Sequence, residues 1–562
     1  MRYLLIVLVC AVLGGCEKSA PQEKQAAVTD PGPPAAAKNL HPDIDRDWLF
    51  SHIEILSSDD FGGRAPATPG EEKTIAYLRE QFAALGLEPG HNGSFFQDVP
   101  LVTITATTDD AVRVNSKDGT SIELPIGEDA VVWTKRVTPE AAISDSDLVF
   151  VGYGIVAPEF EWDDYAGLDV SGKTVVMLVN DPGFASQDPA LFKGNAMTYY
   201  GRWTYKFEEA AKQGAAGALI IHETPAAGYP WSVVQGSWTG AQHDLVTADK
   251  NMSRASIEGW ISSSAADKML QAVGSSYAQL KEEALDRTMG SRELGLSASV
   301  AVRNSISTSN SKNVLAKIPG TERPDEYILY MAHWDHLGTD PNLEGDQIYN
   351  GAVDNATGTA GLLAIARAFM QQPQKPRRSI MFVAVTAEES GLLGSRHYAE
   401  NPPVPLNKTV AGVNMDALHV TGPTRDVAVI GYGSSELEKY LAKAALQQNR
   451  TIGPEPTPEK GFFYRSDHFN LAKKGVPVLY AKSGVDLVDG GPEKGRALQA
   501  EHIQKRYHKP ADEINENWNL TGSAEDLQLF FHVGSMLAGE KSFPQWYPGN
   551  EFKALRDASM MQ

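Results

Sequence analysis

The chain has 562 residues, room at ~150 residues per domain for two to four domains, and its content of 42% hydrophobic, 22% charged and 9% aromatic residues excludes a disordered or fibrous protein. With 50 Lys and Arg against 71 Asp and Glu the formal net charge is −21, so no basic field is offered to nucleic acid and none is expected as a partner. The two cysteines, Cys10 and Cys16, both lie near the N-terminus, so any metal in the folded body has to be held by His, Asp and Glu.

The first segment reads as an address. Arg2 precedes an apolar run over residues 4–13, too short for a membrane span of ~20 residues, and Gly14-Gly15 gives a small-residue exit, the pattern of a signal peptide. Leu13-Gly14-Gly15-Cys16 resembles the bacterial lipoprotein processing box, which implies cleavage before Cys16 and lipidation of that residue, and Glu17 resembles the outer-membrane sorting pattern. Residues 1–16 are thus expected to be a signal peptide with lipobox and residues 17–41, rich in Ala, Pro, Lys and Gln, a flexible tether. The expectation is an exported lipoprotein of the outer membrane, facing the periplasm or the cell surface, whose only membrane contact is that lipid anchor.

In the body, Ile75, Leu78, Phe82 and Leu85 recur at spacings of three and four, and Gly86 follows as a cap, which predicts a helix over residues 71–85. Strand-like composition follows at 102–114 and 147–151. From 144 to 292 a strand (173–179), a helix (207–212) and a second strand (217–221) form a β-helix-β unit among aromatic and Gly-rich loops, and few His or carboxylates cluster there. With VGYG at 151–154 and GAAGALII at 214–221, this stretch resembles the protease-associated domain, an insert without chemistry of its own. Beyond Val314, residues 327–332, 379–385, 409–414 and 476–480 are near-continuous apolar runs, the mark of strands covered on both faces, with helices predicted at 357–369 and 434–447. The alternation predicts an α/β fold, a three-layer α/β/α sandwich with a mostly parallel central sheet, its ligand site beyond the C-terminal strand ends. The expected division is an α/β body in two parts, 42–143 and 293–545, the β-rich insert 144–292 between them, and a C-terminal tail, 546–562.

The chemistry-bearing residues fall at those strand ends. His333-Trp334-Asp335-His336 ends the first run, and in an extended chain His333 and Asp335 share a side, so Asp335 can orient the imidazole. A Gly-rich turn carrying Asp354 and Asn355 opens the next helix, where capping is their simplest role. The adjacent pair Glu388 and Glu389 leaves the second run facing two directions, which suits one metal ligand and one proton carrier. Asp416 ends the third, and Tyr507-His508-Lys509-Pro510 places a histidine in a late loop.

The ordered set His333, Asp354, Glu388/Glu389, Asp416, His508 resembles the co-catalytic zinc exopeptidase family of bacterial leucyl aminopeptidases and glutamate carboxypeptidase II. The resemblance covers residues 57–90, with Asp-Asp-Phe-Gly-Gly-Arg at 59–64, and 313 to about 539. It implies two Zn2+ per chain bridged by Asp354, with Glu389 and His508 completing one and His333 and Asp416 the other. It implies Glu388 as general base toward a metal-bridged hydroxide, Asp335 as its catalytic companion, and Tyr464 and His468 at the substrate pocket. The activity implied is removal of N-terminal residues from peptides by a metallo-aminopeptidase. A carboxypeptidase of the same family, a glutaminyl cyclase-like enzyme and a metal-free, receptor-like binding protein are the alternatives.

Overall fold

The computed structural model describes residues 43–237, 240–288 and 291–561. The predicted signal peptide, Cys16 and the tether lie outside them. No described helix is long and apolar enough to cross a membrane.

Four parallel strands stand at the centre of one sheet in the order Arg378–Val385, Arg323–His333, Thr409–Asn414, Val478–Ser483. Antiparallel neighbours flank them, the end of Arg292–Ile318 on one side and Asp426–Val429 on the other. Side-chain alternation decides the layers. Ile328, Tyr330, Ala332, Ile380, Phe382 and Ala384 pack with the helices Arg46–Leu56, Pro69–Ala84, Thr357–Met370, Leu437–Gln447 and Thr521–Gly539. Leu329, Met331, Met381, Val383 and Val385 pack on the other face against Leu393–Glu400 and His468–Ala472. This is the three-layer α/β/α arrangement expected, and it explains why the strands read as continuous apolar runs.

The second module holds the expected β-helix-β unit: strands Thr174–Leu178 and Gly217–His222 pair in parallel, with helix Trp203–Lys212 between them in sequence. Its extent differs from the expectation. Val112, Val114, Ile122, Leu124, Ala130, Val132, Ala141 and Ile143, assigned above to the α/β body, pack in one core with Phe150, Val176 and Leu219. Pairing of Ala111–Ser116 with residues 296–299 turns Val112 and Val114 into that core. The 27-residue strand Arg292–Ile318 passes through both modules, pairing with Glu140–Phe150 at its start and with Arg378–Val385 at its end. The described part of the C-terminal tail, residues 546–561, packs on the body. Trp546 and Arg556 are buried, Trp546 Nε1 donating to the Gly475 carbonyl at 2.8 Å and Arg556 to the Thr409 carbonyl at 2.8 Å.

Helix Thr521–Gly539 crosses the sheet at Tyr330, whose hydroxyl donates to the Phe530 carbonyl at 2.8 Å. A Cβ on Gly534 would stand 1.9 Å from that hydroxyl. Alanine gains ~1 kcal/mol of helix propensity over glycine, and overpacking costs ~1–3 kcal/mol, so the collision should win. Gly534→Ala is expected to lower the midpoint of denaturant unfolding, and a raised midpoint would show that the helix sits farther from the sheet.

Candidate metal and catalytic centre

Five loops, those carrying His333, Asp354, Glu388-Glu389, Asp416 and His508, meet beyond the C-terminal ends of the central strands, tied together by hydrogen bonds that run from loop to loop. Arg64, at the end of the Asp59–Arg64 turn, is buried and donates to the carbonyls of Leu56, Trp334, Asn350 and Gly351 at 2.6, 2.9, 2.6 and 2.9 Å. One side chain thereby joins the N-terminal helix, the His333 loop and the Asp354 loop. The Asp512 carboxylate accepts from the backbone N–H of Val353 at 3.1 Å and of Asp354 at 3.0 Å, tying the His508 loop to the Asp354 loop. Asn355 donates to the Met415 carbonyl and accepts from Ala417 N–H, at 3.0 and 3.1 Å, which joins the Asp354 and Asp416 loops. Gly351 has φ +54, and a Cβ there would lie 2.3 Å from the Asp354 carbonyl oxygen, so the turn requires glycine.

These ties place Asp354 between two imidazoles. Its Oδ1 is 3.3 Å from His333 Nε2 and its Oδ2 is 3.3 Å from His508 Nε2. His333 Nε2 also lies 3.5 Å from Asp416 Oδ1, and His508 Nε2 lies 3.1 Å from Glu389 Oε2. A third imidazole joins them, with His336 Nδ1 2.6 Å from Glu389 Oε1. His333, Asp354 and Asp416 form one group of converging donor atoms, and His336, Asp354 and Glu389 form another. The buried Nε2 of His333, facing Asp354 and Asp416, makes no hydrogen bond of acceptable geometry. Such imidazole nitrogens facing carboxylate oxygens fit a divalent cation of borderline softness better than a hydrogen-bonded network.

The electrostatics support the same conclusion. Burial raises Glu388 well above the usual carboxylate range, with Asp416, Asp467 and Glu389 adding to the rise and His333 opposing it. Burial lifts both Asp335 and Asp467 to about 7. At His508 burial is overcome by Glu389 and Asp354, and the imidazole rises to about 10. Charge that carboxylates would otherwise balance by keeping imidazoles protonated can be balanced by a cation bound to neutral imidazoles.

The structure brings His333, Asp354, Glu389, Asp416 and His508 together and sets Glu388 in the field of His333 and Asp416. Asp335 stands behind them. Its Oδ1 accepts from Glu388 N–H at 3.1 Å and its Oδ2 from Glu389 N–H at 3.4 Å, which positions the Glu388-Glu389 loop, and its Oδ1 also lies 3.9 Å from His333 Nδ1, beside the imidazole it was expected to orient. His468 is buried between Phe463 and Tyr480, burial taking its pKa down to about 3. Tyr464 turns elsewhere, donating to Glu551 Oε1 at 3.0 Å and packing against Tyr199 of the second module. Sequence reasoning passed over His336, Asp512 and the role of Arg64. His336 was visible in the HWDH stretch, but strand alternation stops at His333, so alternation does not say where His336 points.

Residues 313–531 match the model of Peptidase family M28. Aminopeptidase NAALADL1 of Mus musculus is 38% identical over 132 residues, covering 23% of this chain and 16% of the relative. A glutamate carboxypeptidase 2 homolog of Caenorhabditis elegans is 37% identical over 170 residues, covering 28% of this chain and 20% of its own. The chain therefore spans a fifth or less of these curated relatives. Among solved structures, an aminopeptidase from Aneurinibacillus sp. strain AM-1 aligns over 88% of this chain and 93% of its own at 18% identity, with a TM-score of 0.47.

The bracing by Asp512 can be tested apart from any ligand. Asp512→Asn keeps the shape but removes the charge that accepts two backbone N–H groups. Loss of such outer support typically lowers metal affinity ~10–100-fold. Chelator competition on the metal-loaded protein should show that drop with unfolding unchanged, and an unaltered affinity would mean that the Asp354 loop holds itself.

Proposed function

We propose that this protein is a zinc-dependent aminopeptidase with two metal ions per chain, acting on peptides. The observation that carries the reading is Asp354, whose two carboxylate oxygens each reach the imidazole of a different loop. His333 and Asp416 would complete one ion; Glu389 with His508 or His336 would complete the other. Zinc bound there supplies Lewis acidity to the scissile carbonyl and to the attacking water.

The remaining roles belong to the chain. Glu388, raised in pKa and held by its backbone on Asp335, takes the proton of the attacking water and returns it to the leaving amine. The carboxylates around it attract the α-ammonium of a free N-terminus. Peptides are the proposed partners, nucleic acid is not. The second module is proposed to be a protease-associated domain, and lipidation of Cys16 to tether the enzyme to the outer membrane.

A carboxypeptidase is the second reading, favoured by one feature. Arg202 of the second module is buried, its Nε has no hydrogen-bond partner, and burial and the nearby Arg465 guanidinium take it down to about 10. A terminal carboxylate would suit that pair of cations.

Dipeptides with free, acetylated or amidated ends separate the two. For the aminopeptidase, acetylating the amine should lower kcat/KM by orders of magnitude and amidating the carboxylate should matter little, whereas the opposite pattern would establish the carboxypeptidase. Glu388→Gln should keep its metal and lose ~10²–10⁴-fold in kcat. Near-normal turnover in that variant would place the base elsewhere.

A further inference from the structure

The loop that carries Glu388 is held from two sides. Asp335 accepts its backbone N–H groups on one side, and the second module presses on the other. Ala387, directly before Glu388, and Leu393, at the start of the helix that follows, pack in one small buried cluster with Val99 and Leu101 of the strand Phe96–Thr108 and with Leu245. Leu245 ends the strand Ala241–Leu245, which pairs antiparallel with Phe96–Thr108, Leu245 opposite Leu101 and Asp244 opposite Val102. Next to this apolar contact lies a charged one. Asp244 Oδ1 accepts from Arg396 Nη1 at 3.1 Å, and Arg396 lies on the helix Leu393–Glu400 that continues the Glu388 loop. Asp244 is buried and further held by Lys135 at 3.4 Å and by the N–H of Leu245 at 2.8 Å.

The loop between these supports needs holding. Ala387 has φ +51 and Leu392 φ +62, so two residues with side chains occupy the left-handed region on either side of the glutamate pair. Such conformations are costly for residues with side chains and persist only where the surroundings over-determine them. Asp335 fixes the N–H groups of Glu388 and Glu389 but not the residues on either side. Leu245, which closes over Ala387 and Leu393 together with Val99 and Leu101, comes from the second module, and that module contributes none of the converging donor atoms at the centre.

We propose that the second module is a positioning device for the general base, acting through Asp244 on Arg396 and through Leu245 on Ala387 and Leu393. Asp244 and Leu245 are positioning residues, since neither reaches the converging side chains. The inference rests on the reading of Glu388 as the base, so its test separates the two. Asp244→Ala and Arg396→Ala should each lower kcat by about ten- to a hundredfold on a leucine anilide, the size of effect a displacement of ~1 Å can have. KM and bound metal should stay within about twofold of the starting protein, and Arg396→Lys should recover most of the rate. If the effect passes through Glu388, Asp244→Ala added to Glu388→Gln should produce little further loss, as expected of groups that act as one unit.

An unchanged kcat in Asp244→Ala overturns the proposal. So does a loss that multiplies fully with that of Glu388→Gln, or one accompanied by loss of metal, because the module would then act elsewhere. Should Asp244→Ala fail to fold, Leu245→Ala and Arg396→Lys, with the same readouts, decide. A fully active Glu388→Gln overturns the assignment of the base itself, whatever the Asp244 variants do.

Discussion

Seven carboxylates, those of Asp335, Asp354, Glu388, Glu389, Asp416, Asp467 and Asp512, are buried or half-buried around one end of the sheet. A buried charge is costly unless paired or bound to a metal. The buried Arg64 guanidinium feels Asp512, Asp335, Asp354 and Glu389 but gives its hydrogen bonds to backbone carbonyls. Imidazoles alone can balance the charge only by becoming protonated. Divalent cations bound there would resolve the same imbalance and leave the imidazoles free to act as ligands.

Much of the surrounding architecture serves to hold those carboxylates close to one another. Parallel strands deliver His333, the Glu388-Glu389 pair and Asp416 to a common rim because each chain leaves the sheet at its C-terminal end. Loops at such a rim would spread under mutual repulsion, and the ties made by Arg64, Asn355 and Asp512 oppose that spreading. The long strand Arg292–Ile318 makes the second module continuous with the sheet, so that module can bear on the Glu388 loop without a hinge between them.

The central strands were legible in the sequence because burial on both faces leaves continuous apolar runs, and the ends of those runs pointed to His333, Glu388, Glu389 and Asp416. Asp354 and His508 came from motif resemblance, since a carboxylate at a helix start and a lone loop histidine carry no periodic signal. The start of the second module was misplaced because strands with alternating burial, such as Ala111–Ser116, look alike whichever core they face. The bracing residues were illegible for a related reason. Arg64 and Asp512 act on backbone groups 286 and 158 residues away, at Asn350 and Asp354, and no local pattern records such a contact. The partnership of Asp244 with Arg396 is another contact of this kind, separated by 152 residues.

Whether metal balances the buried carboxylates is tested directly by the zinc content of the purified protein, with anomalous scattering at the zinc edge to locate the ions. Two zinc ions per chain, each within reach of one Asp354 carboxylate oxygen, is the result expected. A chain that binds one ion or none, or binds its ions away from Asp354, would contradict it.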